Sequence, residues 1–544
     1  MAASVPHQQE AKLHCFLQWL QANSVELRGC CIRYCGPDKG FGVFATTGNN
    51  GDGIVMVVPL DLAITPMRVL QDRLVGPRCR ALFEEGDVDD RFLMMVFLMV
   101  ERVLPNSVWK PYLDLLPSTF ESTLWFTEDE LAELRGTTLY RATLVQQKQL
   151  RALFNDKVKS LVEELLQTDR DSDRTIEVQF EDFLWANCIF WTRALNIPFP
   201  RSYVFPESLD EQGKSSLSCS SEADATVTGN SGETSIHSLN VKSEDHVIVE
   251  NTADGAYKLA SAETFWVEGL VPGIDFCNHG LKAAATWEVD STGAVTGVPA
   301  SMYLILADQQ NFEVGKEICI SYGNKGNEEL LYLYGFVVDN NPDDYLMKAE
   351  LRCLLPKSSL NHGFFSERNE DSKKSLVGQS YNYSWSGQRK VPSYLSKLVF
   401  PQEFLVALRT IAMQEHELRQ VVSLLEELGA SGEERQPSDK DIQTAIWEVC
   451  GDYGALELLV ELLRMKMMEL EEGSGTEDYD DEILTNFSIM KLEDVERSKR
   501  TSEGVSMSRT RWSCVVYRKG QKQLTRLFLR EAEQALELCA REQP

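Results

Sequence analysis

Positive charge is what this 544-residue chain lacks most: 54 Lys and Arg face 83 Asp and Glu, a formal net charge of -29. Such a surface repels phosphate backbones and anionic lipid, which argues against nucleic acid or a membrane as partner and favours a neutral or basic protein. Long apolar runs are missing too. The most hydrophobic stretch, "FLMMVFLMV" from Phe92 to Val100, sits between Arg91 and Glu101 and is too short to cross a bilayer, so it predicts a core helix. Thirteen cysteines are present, but no CxxC pair meets a second one at zinc-finger spacing. That usage fits a reducing compartment. The first twenty residues, "MAASVPHQQEAKLHCFLQWL", carry neither the basic head and apolar run of a signal peptide nor an Arg- and Ser-rich transit pattern, so cytosol or nucleus is expected. No GxGxxG opens a helix and no GxSxG elbow occurs, so the usual dinucleotide-binding and hydrolase signatures are absent.

What is present is 43% hydrophobic and 9% aromatic, a globular composition long enough for two or more domains. Leu13, Phe16, Leu17 and Leu20 recur at helical spacing and predict an opening amphipathic helix. "KGFGVFATTGNNGDGIVMVVP", Lys39 to Pro59, predicts two strands joined by a Gly/Asn loop. Helical patterns dominate from about Asp89 to Asn196, clearest in the stripe Leu150, Phe154, Val158, Leu161, Leu165. Between Glu207 and Ala262 the composition turns to Ser, Thr, Asp, Glu, Asn and Gly, which buries too little apolar surface to offset its ordering entropy and predicts a disordered insertion. "FWVEGLVP", "MYLILA" and the alternating "EICISY" then predict short strands. After about Tyr345 helical stripes return, at Phe404, Leu408 and Ile411, at Ile446 and Val449, and at Leu456, Leu459 and Leu463, with "GASGEERQPSDKD" and "EEGSGTEDYDDE" expected as acidic loops.

Chemistry concentrates in "GLVPGIDFCNHG", Gly269 to Gly280, where Asp275, Asn278 and His279 follow a Pro-Gly turn. A carboxylate, an amide and an imidazole at that spacing could ligate a metal, join a hydrolase triad, cradle a polar small molecule, or only cap a turn. No second His/Cys pair matches for a metal, and no nucleophile elbow matches for a triad. Gly40 and Gly42 in "GFG" permit a close backbone approach to a ligand, although a plain turn needs the same residues.

Downstream, "GKEICISYGNKGNEELLYLYGFVVDNNPDDY", Gly315 to Tyr345, is too particular in order for generic core. With it the chain resembles SET-domain methyltransferases, in the branch of the Rubisco large-subunit lysine methyltransferase, which also holds a SET-type actin-histidine methyltransferase. "KGFGVFA" is similar to the first glycine motif of the family, with Phe41 at a usual Leu. "WKPYLDLLP" and "LWFTEDELAELRGT" resemble the helical insertion of this branch, and "FLWANCIFWTRAL" its Ser-Arg segment with Thr192 at the Ser. Asp-x-x-Asn-His matches, with Gly280 where Ser often stands; the zinc-binding cysteines that follow many SET domains are missing, as expected for this branch.

The resemblance implies an α+β SET fold of short β-sheets with a knot-like crossing. It places a helix over residues 1–24, a SET domain over 25–335 with a helical insertion at about 89–206 and the Ser-rich one at about 207–262, and a helical substrate-binding domain over 345–544. It implies S-adenosylmethionine as cofactor and no metal. Asn278 and His279 would hold that cofactor, Arg193 contact it, Gly40, Phe41 and Gly42 line its other side, and Asp275 brace the turn. Tyr322 would aim acceptor and methyl, with Tyr334 as a second aromatic wall. The implied activity is protein-lysine N-methylation of a non-histone protein, by a monomer whose protein substrate docks on the helical C-terminal domain. Lysine is favoured over histidine because Leu195, two residues past Arg193, offers no polar partner to fix an imidazole tautomer. A catalytically silent SET adaptor is the alternative of another class; it has no chemical need for Asn278, His279 and Tyr322 together.

Overall fold

The computed structural model describes residues 7–36, 39–48, 51–86, 88–168, 177–204, 264–307, 313–347, 384–386, 402–430, 438–486 and 508–542. The expectation of disorder over residues 207–262 falls outside them. The chain divides into two compact units, Met1–Leu195 with Gly269–Pro544, and Asn196–Glu268.

The larger unit opens with the expected amphipathic helix, His7–Ala22, whose Phe16 and Leu20 are buried. Its main sheet is antiparallel and ordered β1 (Glu26–Leu27), β4 (Ile54–Pro59), β8 (Ser301–Leu306), β7 (Ala285–Asp290). β-Branched residues supply β4, and Ile54 to Val58 are all buried, as suits a strand with neighbours on both edges. The two strands expected from Lys39 to Pro59 both exist, but they do not pair with each other. β3 (Gly40–Ala45) pairs instead with β2 (Cys30–Gly36), because the Gly/Asn loop is too long for a tight hairpin and lets β4 leave for the other sheet. In the smaller unit β5 (Leu195–Pro200) and β6 (Thr264–Gly269) form a two-stranded sheet, and Phe199 stacks on Tyr203 with ring centroids 4.7 Å apart.

"FLMMVFLMV" lies in the helix Asp90–Val103, capped by the Asp89 carboxylate accepting from Phe92 N at 2.9 Å and buried from Phe92 to Val100. The helix Phe180–Arg193 packs along it. The stripe from Leu150 to Leu165 is buried throughout, on helices Thr138–Leu153 and Lys159–Thr168 joined by a π-turn at Phe154–Val158. That wider turn keeps the 4-residue steps Leu150, Phe154, Val158 on one face.

The C-terminal part is helical as expected: Gln402–Ala412, Glu415–Ala430, Asp439–Cys450, Tyr453–Ser474 and Arg509–Glu542, preceded by an unexpected ribbon of β9 (Tyr345–Met347) with β10 (Ser384–Ser386). Leu456, Leu459 and Leu463 meet Leu524, Phe528 and Ala532 in one core. One expectation is corrected here. "EEGSGTEDYDDE" is not a solvated loop: it closes one helix and starts another at 477–486, and its Asp480 is wholly buried against Arg518 and Lys522. Acidic composition gave no hint that a cationic partner waits in the last helix.

Candidate active site

Two segments some forty residues apart meet at the centre of the site. A short 3₁₀ turn, Ile274–Phe276, enters through Gly273 at φ +104° and delivers Asn278 and His279. "EICISY" runs beside it, and Ile320 N donates to Asn278 O while Gly280 N donates to Ile320 O, both at 3.0 Å, making a parallel bridge at His279. "EICISY" was expected as a strand; it forms isolated bridges to Phe44 and His279 instead, because its two neighbours approach at different places. Its alternation is nonetheless correct, with Ile318 and Ile320 buried. A Cβ at Gly280 would stand 3.0 Å from Cys319 Cβ, which gives a steric reason for glycine here.

β3 closes over this crossing. A Cβ on Gly42 would lie 2.7 Å from Glu317 Oε1 and 3.0 Å from Asn278 Nδ2, so a side chain here would displace the Glu317–Asn278 pair. Gly40 takes φ +65°, a left-handed conformation that favours glycine. Phe41 is buried, edge-on to Phe276 at 6.2 Å.

The polar groups are ordered by their partners. Asn278 Nδ2 donates to Glu317 Oε1 at 2.6 Å and to Phe41 O at 3.4 Å; two acceptors around one atom fix the amide's orientation. The amide oxygen is left as the acceptor available to a ligand. His279 Nδ1 accepts from Tyr322 N at 3.1 Å, which requires the neutral ring protonated on Nε2, and burial lowers the pKa of this imidazole in agreement. Asp275 Oδ2 accepts from Tyr112 Oη at 2.5 Å and Oδ1 from Gly273 N at 3.2 Å, so the carboxylate ties its own turn to the helical insertion. Arg193 Nη1 donates to Asp275 O at 2.9 Å, stands 3.7 Å from Oδ2 and lies over the Phe276 ring. Burial raises the Asp275 carboxyl to about 6 although Arg193 pulls it down, so it is ionised at neutral pH.

The tyrosines complete the wall. Tyr322 Oη donates to Cys277 O at 2.9 Å, and its ring lies 5.2 Å from His279 and 4.7 Å from Tyr334. Phe336 stands 5.9 Å from His279 and 6.2 Å from Tyr334. None of Tyr322, Tyr334 and Phe336 is fully buried, so the aromatic cluster borders solvent. Burial pushes the hydroxyl of Tyr334 up to about 12 and that of Tyr322 higher, so both stay protonated at neutral pH. Phe41, Gly42, Arg193, Asp275, Asn278, His279, Tyr322 and Tyr334 are thus placed around one crossing. Glu317 and Tyr112 were missed: one looks like an ordinary surface position of an alternating strand, the other like core, and only the fold brings them to Asn278 and Asp275. Among the described residues no group of His, Cys, Asp and Glu could hold a metal.

No family model matches the chain. It is similar to the chloroplastic [fructose-bisphosphate aldolase]-lysine N-methyltransferase of Arabidopsis thaliana, 29% identical over 181 residues, 33% of this chain and 35% of that one. It is also similar to the actin-histidine N-methyltransferase of Homo sapiens, 23% identical over 380 residues, 64% of this chain and 49% of the other. The chain spans half or less of the length of these curated relatives. Among solved structures, the SET domain of LSMT bound to lysine and AdoHcy superposes with a TM-score of 0.59 at 18% identity, over 97% of this chain and 92% of that one. The chain has the SET fold. Rubisco LSMT bound to AdoMet superposes equally well, at 0.59 over 96% and 92%. The crossing of the Asn278–His279 turn with "EICISY" lies within this fold, and it brings together residues some forty positions apart in sequence.

Proposed function

We propose that this chain is an S-adenosylmethionine-dependent protein N-methyltransferase whose acceptor is a lysine of a non-histone protein. The observation that supports this best is the coincidence, at one crossing, of the oriented amide of Asn278, the neutral ring of His279 and the paired rings of Tyr322 and Tyr334. The free amide oxygen of Asn278 suits the ammonium of the cofactor's amino-acid end, with His279, Arg193, Gly40, Phe41 and Gly42 as the other residues that would hold it and Asp275 bracing the turn. Bound there, S-adenosylmethionine supplies an electrophilic methyl carbon on a sulfonium.

The acceptor nitrogen must arrive neutral. For a lysine of pKa near 10.4 that costs about 4.6 kcal/mol at pH 7. Neither tyrosine is a base at that pH, since both hydroxyls are held protonated by burial. The proton is lost to water, and an apolar aromatic channel with a nearby cationic sulfonium shifts the amine toward its neutral form. What remains for Tyr322 is aim: its hydroxyl, now bonded to Cys277 O, would orient the acceptor nitrogen, and carbonyl oxygens at the crossing would offer weak CH···O acceptors to a bound methyl group. Tyr334 forms the second wall. The helices after Tyr345 are proposed as the docking surface for the protein substrate, and cysteine usage supports a cytosolic or nuclear setting.

Histidine as acceptor is the second reading, favoured by the match of 64% of this chain to an actin-histidine methyltransferase. Buried Leu195 supports lysine, since it offers an imidazole no hydrogen bond. Incubating cell extract with the protein and methyl-labelled S-adenosylmethionine, then mapping the label by mass spectrometry, decides: label on lysine sustains the proposal, label on histidine replaces it, and no transfer with no cofactor binding sinks both.

A further inference from the structure

Tyr334 is carried by none of the sheets. It ends a five-residue π-turn, Leu330–Tyr334, that continues the short helix Asn327–Glu329. On one side this segment is held by the helical insertion: Ser122 Oγ donates to Tyr332 O at 2.6 Å, and the Gly335 backbone lies against Glu121 and Ser122. Its root is fixed by Asn327, fully buried, whose N donates to Asp344 Oδ1 at 2.6 Å and whose Oδ1 accepts from Val338 N at 2.8 Å. The remaining side is covered by the last helix of the chain, Arg509–Glu542. Tyr517, 1% exposed, shares an apolar cluster with Leu331 and Val337 and donates its hydroxyl to Glu328 Oε2 at 2.9 Å. That helix cannot drift, because Arg518 one residue on pairs with Asp480 and Glu133, and Lys522 donates to Asp480 at 2.6 Å.

We propose that Tyr517 is a positioning residue for the aromatic wall: through Glu328 and Leu331 it sets where the Tyr334 ring stands against Tyr322. The inference rests on the methyltransferase reading for its consequence, the width of the acceptor channel, but not for its geometry. It gives the C-terminal region a second task. Besides offering a docking surface, its last helix holds one wall of the reaction site, so acceptor alignment depends on the far end of the chain. Glu328 is six residues before Tyr334 along a helical segment, and a charge-assisted bond at that end restrains the turn that follows.

The test uses the full-length chain and Tyr517→Phe, which keeps the ring in its apolar cluster and deletes the one hydroxyl. Three quantities are read: the ring resonance of Tyr334 in ¹³C-tyrosine-labelled protein, assigned with Tyr334→Phe; the dissociation constant for S-adenosylmethionine; and the single-turnover rate of methyl transfer into cell-extract protein. The expected result is a displaced Tyr334 resonance and a rate about three- to tenfold lower, with cofactor affinity within about twofold, as for an interaction that acts on alignment. Glu328→Gln, which keeps an acceptor, should stay near normal, Glu328→Ala should displace the Tyr334 resonance at least as far as Tyr517→Phe, and the Glu328→Ala, Tyr517→Phe pair should be no worse than Glu328→Ala alone. An unmoved Tyr334 resonance with a normal rate overturns the proposal and leaves Tyr517 a packing residue. A wild-type chain that neither binds S-adenosylmethionine nor transfers label sinks the methyltransferase reading instead; the Tyr334 resonance, which needs no turnover, then still decides whether Tyr517 positions it.

Discussion

At the scale of single residues Tyr322 makes two bonds at the crossing: its backbone N–H fixes the tautomer of His279, and its hydroxyl reaches Cys277 O. In the proposed function that hydroxyl aims the acceptor. Tyr322→Phe keeps the first bond and the ring, so single-turnover methyl transfer should fall about 10²-fold or more while cofactor affinity changes little. A near-normal rate with only the loss of about 0.5–1.5 kcal/mol expected for one buried hydrogen bond would assign Tyr322 to structure. His279 makes a pH prediction whose sign follows from its lowered pKa. The folded site takes the neutral ring, so its stabilisation is complete above the ordinary histidine value of about 6.5 and is lost as pH falls from there through the lowered folded value. The excess melting temperature of the wild type over His279→Asn should therefore shrink between about pH 7 and pH 5. A difference constant over that range would mean that the folded site does not lower the pKa of the imidazole. Asp275 works the other way: with its carboxyl raised to about 6, its ionisation costs folding free energy as pH climbs from the usual carboxylate range to that value.

Elements are where sequence was most and least informative. Helices with long stripes were legible, because Leu150 through Leu165 or Leu456 through Leu463 repeat at a period that only a helix buries on one side. The meeting of Gly42, Asn278 and His279 at one crossing was legible from their motifs, while the role of each belongs to the proposed function. Strand pairing was not legible. β3 and β4 are neighbours in sequence and belong to different sheets, a choice made by burial of β4 on both edges rather than by anything local. Asp480 was equally hidden, since an acidic run gives the same pattern whether water or a buried arginine faces it. The π-turn at Tyr334 shows how closely two elements can interlock: Gly335 has φ +78°, and a Cβ there would sit 2.5 Å from Glu121 C and 2.7 Å from Ser122 N. Gly335→Ala must therefore shift backbone on both sides, and we expect a loss of about 1–3 kcal/mol in stability with a larger fall in turnover than Ser122→Ala, which removes only the bond to Tyr332 O. Chemical denaturation beside single-turnover rates measures both, and an alanine at 335 that leaves both unchanged would contradict the packing described.

At the scale of the molecule, a buried charge network within the larger compact unit joins the helical insertion to the C-terminal helices. Arg518 and Lys522, 2% and 0% exposed, share Asp480, itself fully buried, and Arg518 also reaches Glu133 on the helical insertion. Glu133 is shared between Arg518 and Arg511, so Asp480 is the carboxylate on which both buried cations converge. Asp480→Asn preserves shape and hydrogen-bonding capacity but leaves two buried cations without the carboxylate they share, a situation that costs about 3–5 kcal/mol when a buried pair is broken. Burial already lowers the pKa of Lys522, and losing Asp480 removes the largest influence that raises it. In the variant the lysine should shed its proton at a lower pH than in the wild type. The folded state then binds fewer protons than the unfolded chain between that lowered value and about 10.4, so variant stability must rise with pH in that window. Urea unfolding at pH 7 and pH 9.5 should accordingly show a large deficit for Asp480→Asn at the lower pH and a smaller one at the higher, with the helical insertion and the C-terminal helices melting together in both. A deficit that is the same at the two values would mean that Asp480 acts by packing, and separate melting of the two portions would mean that the network does not join them.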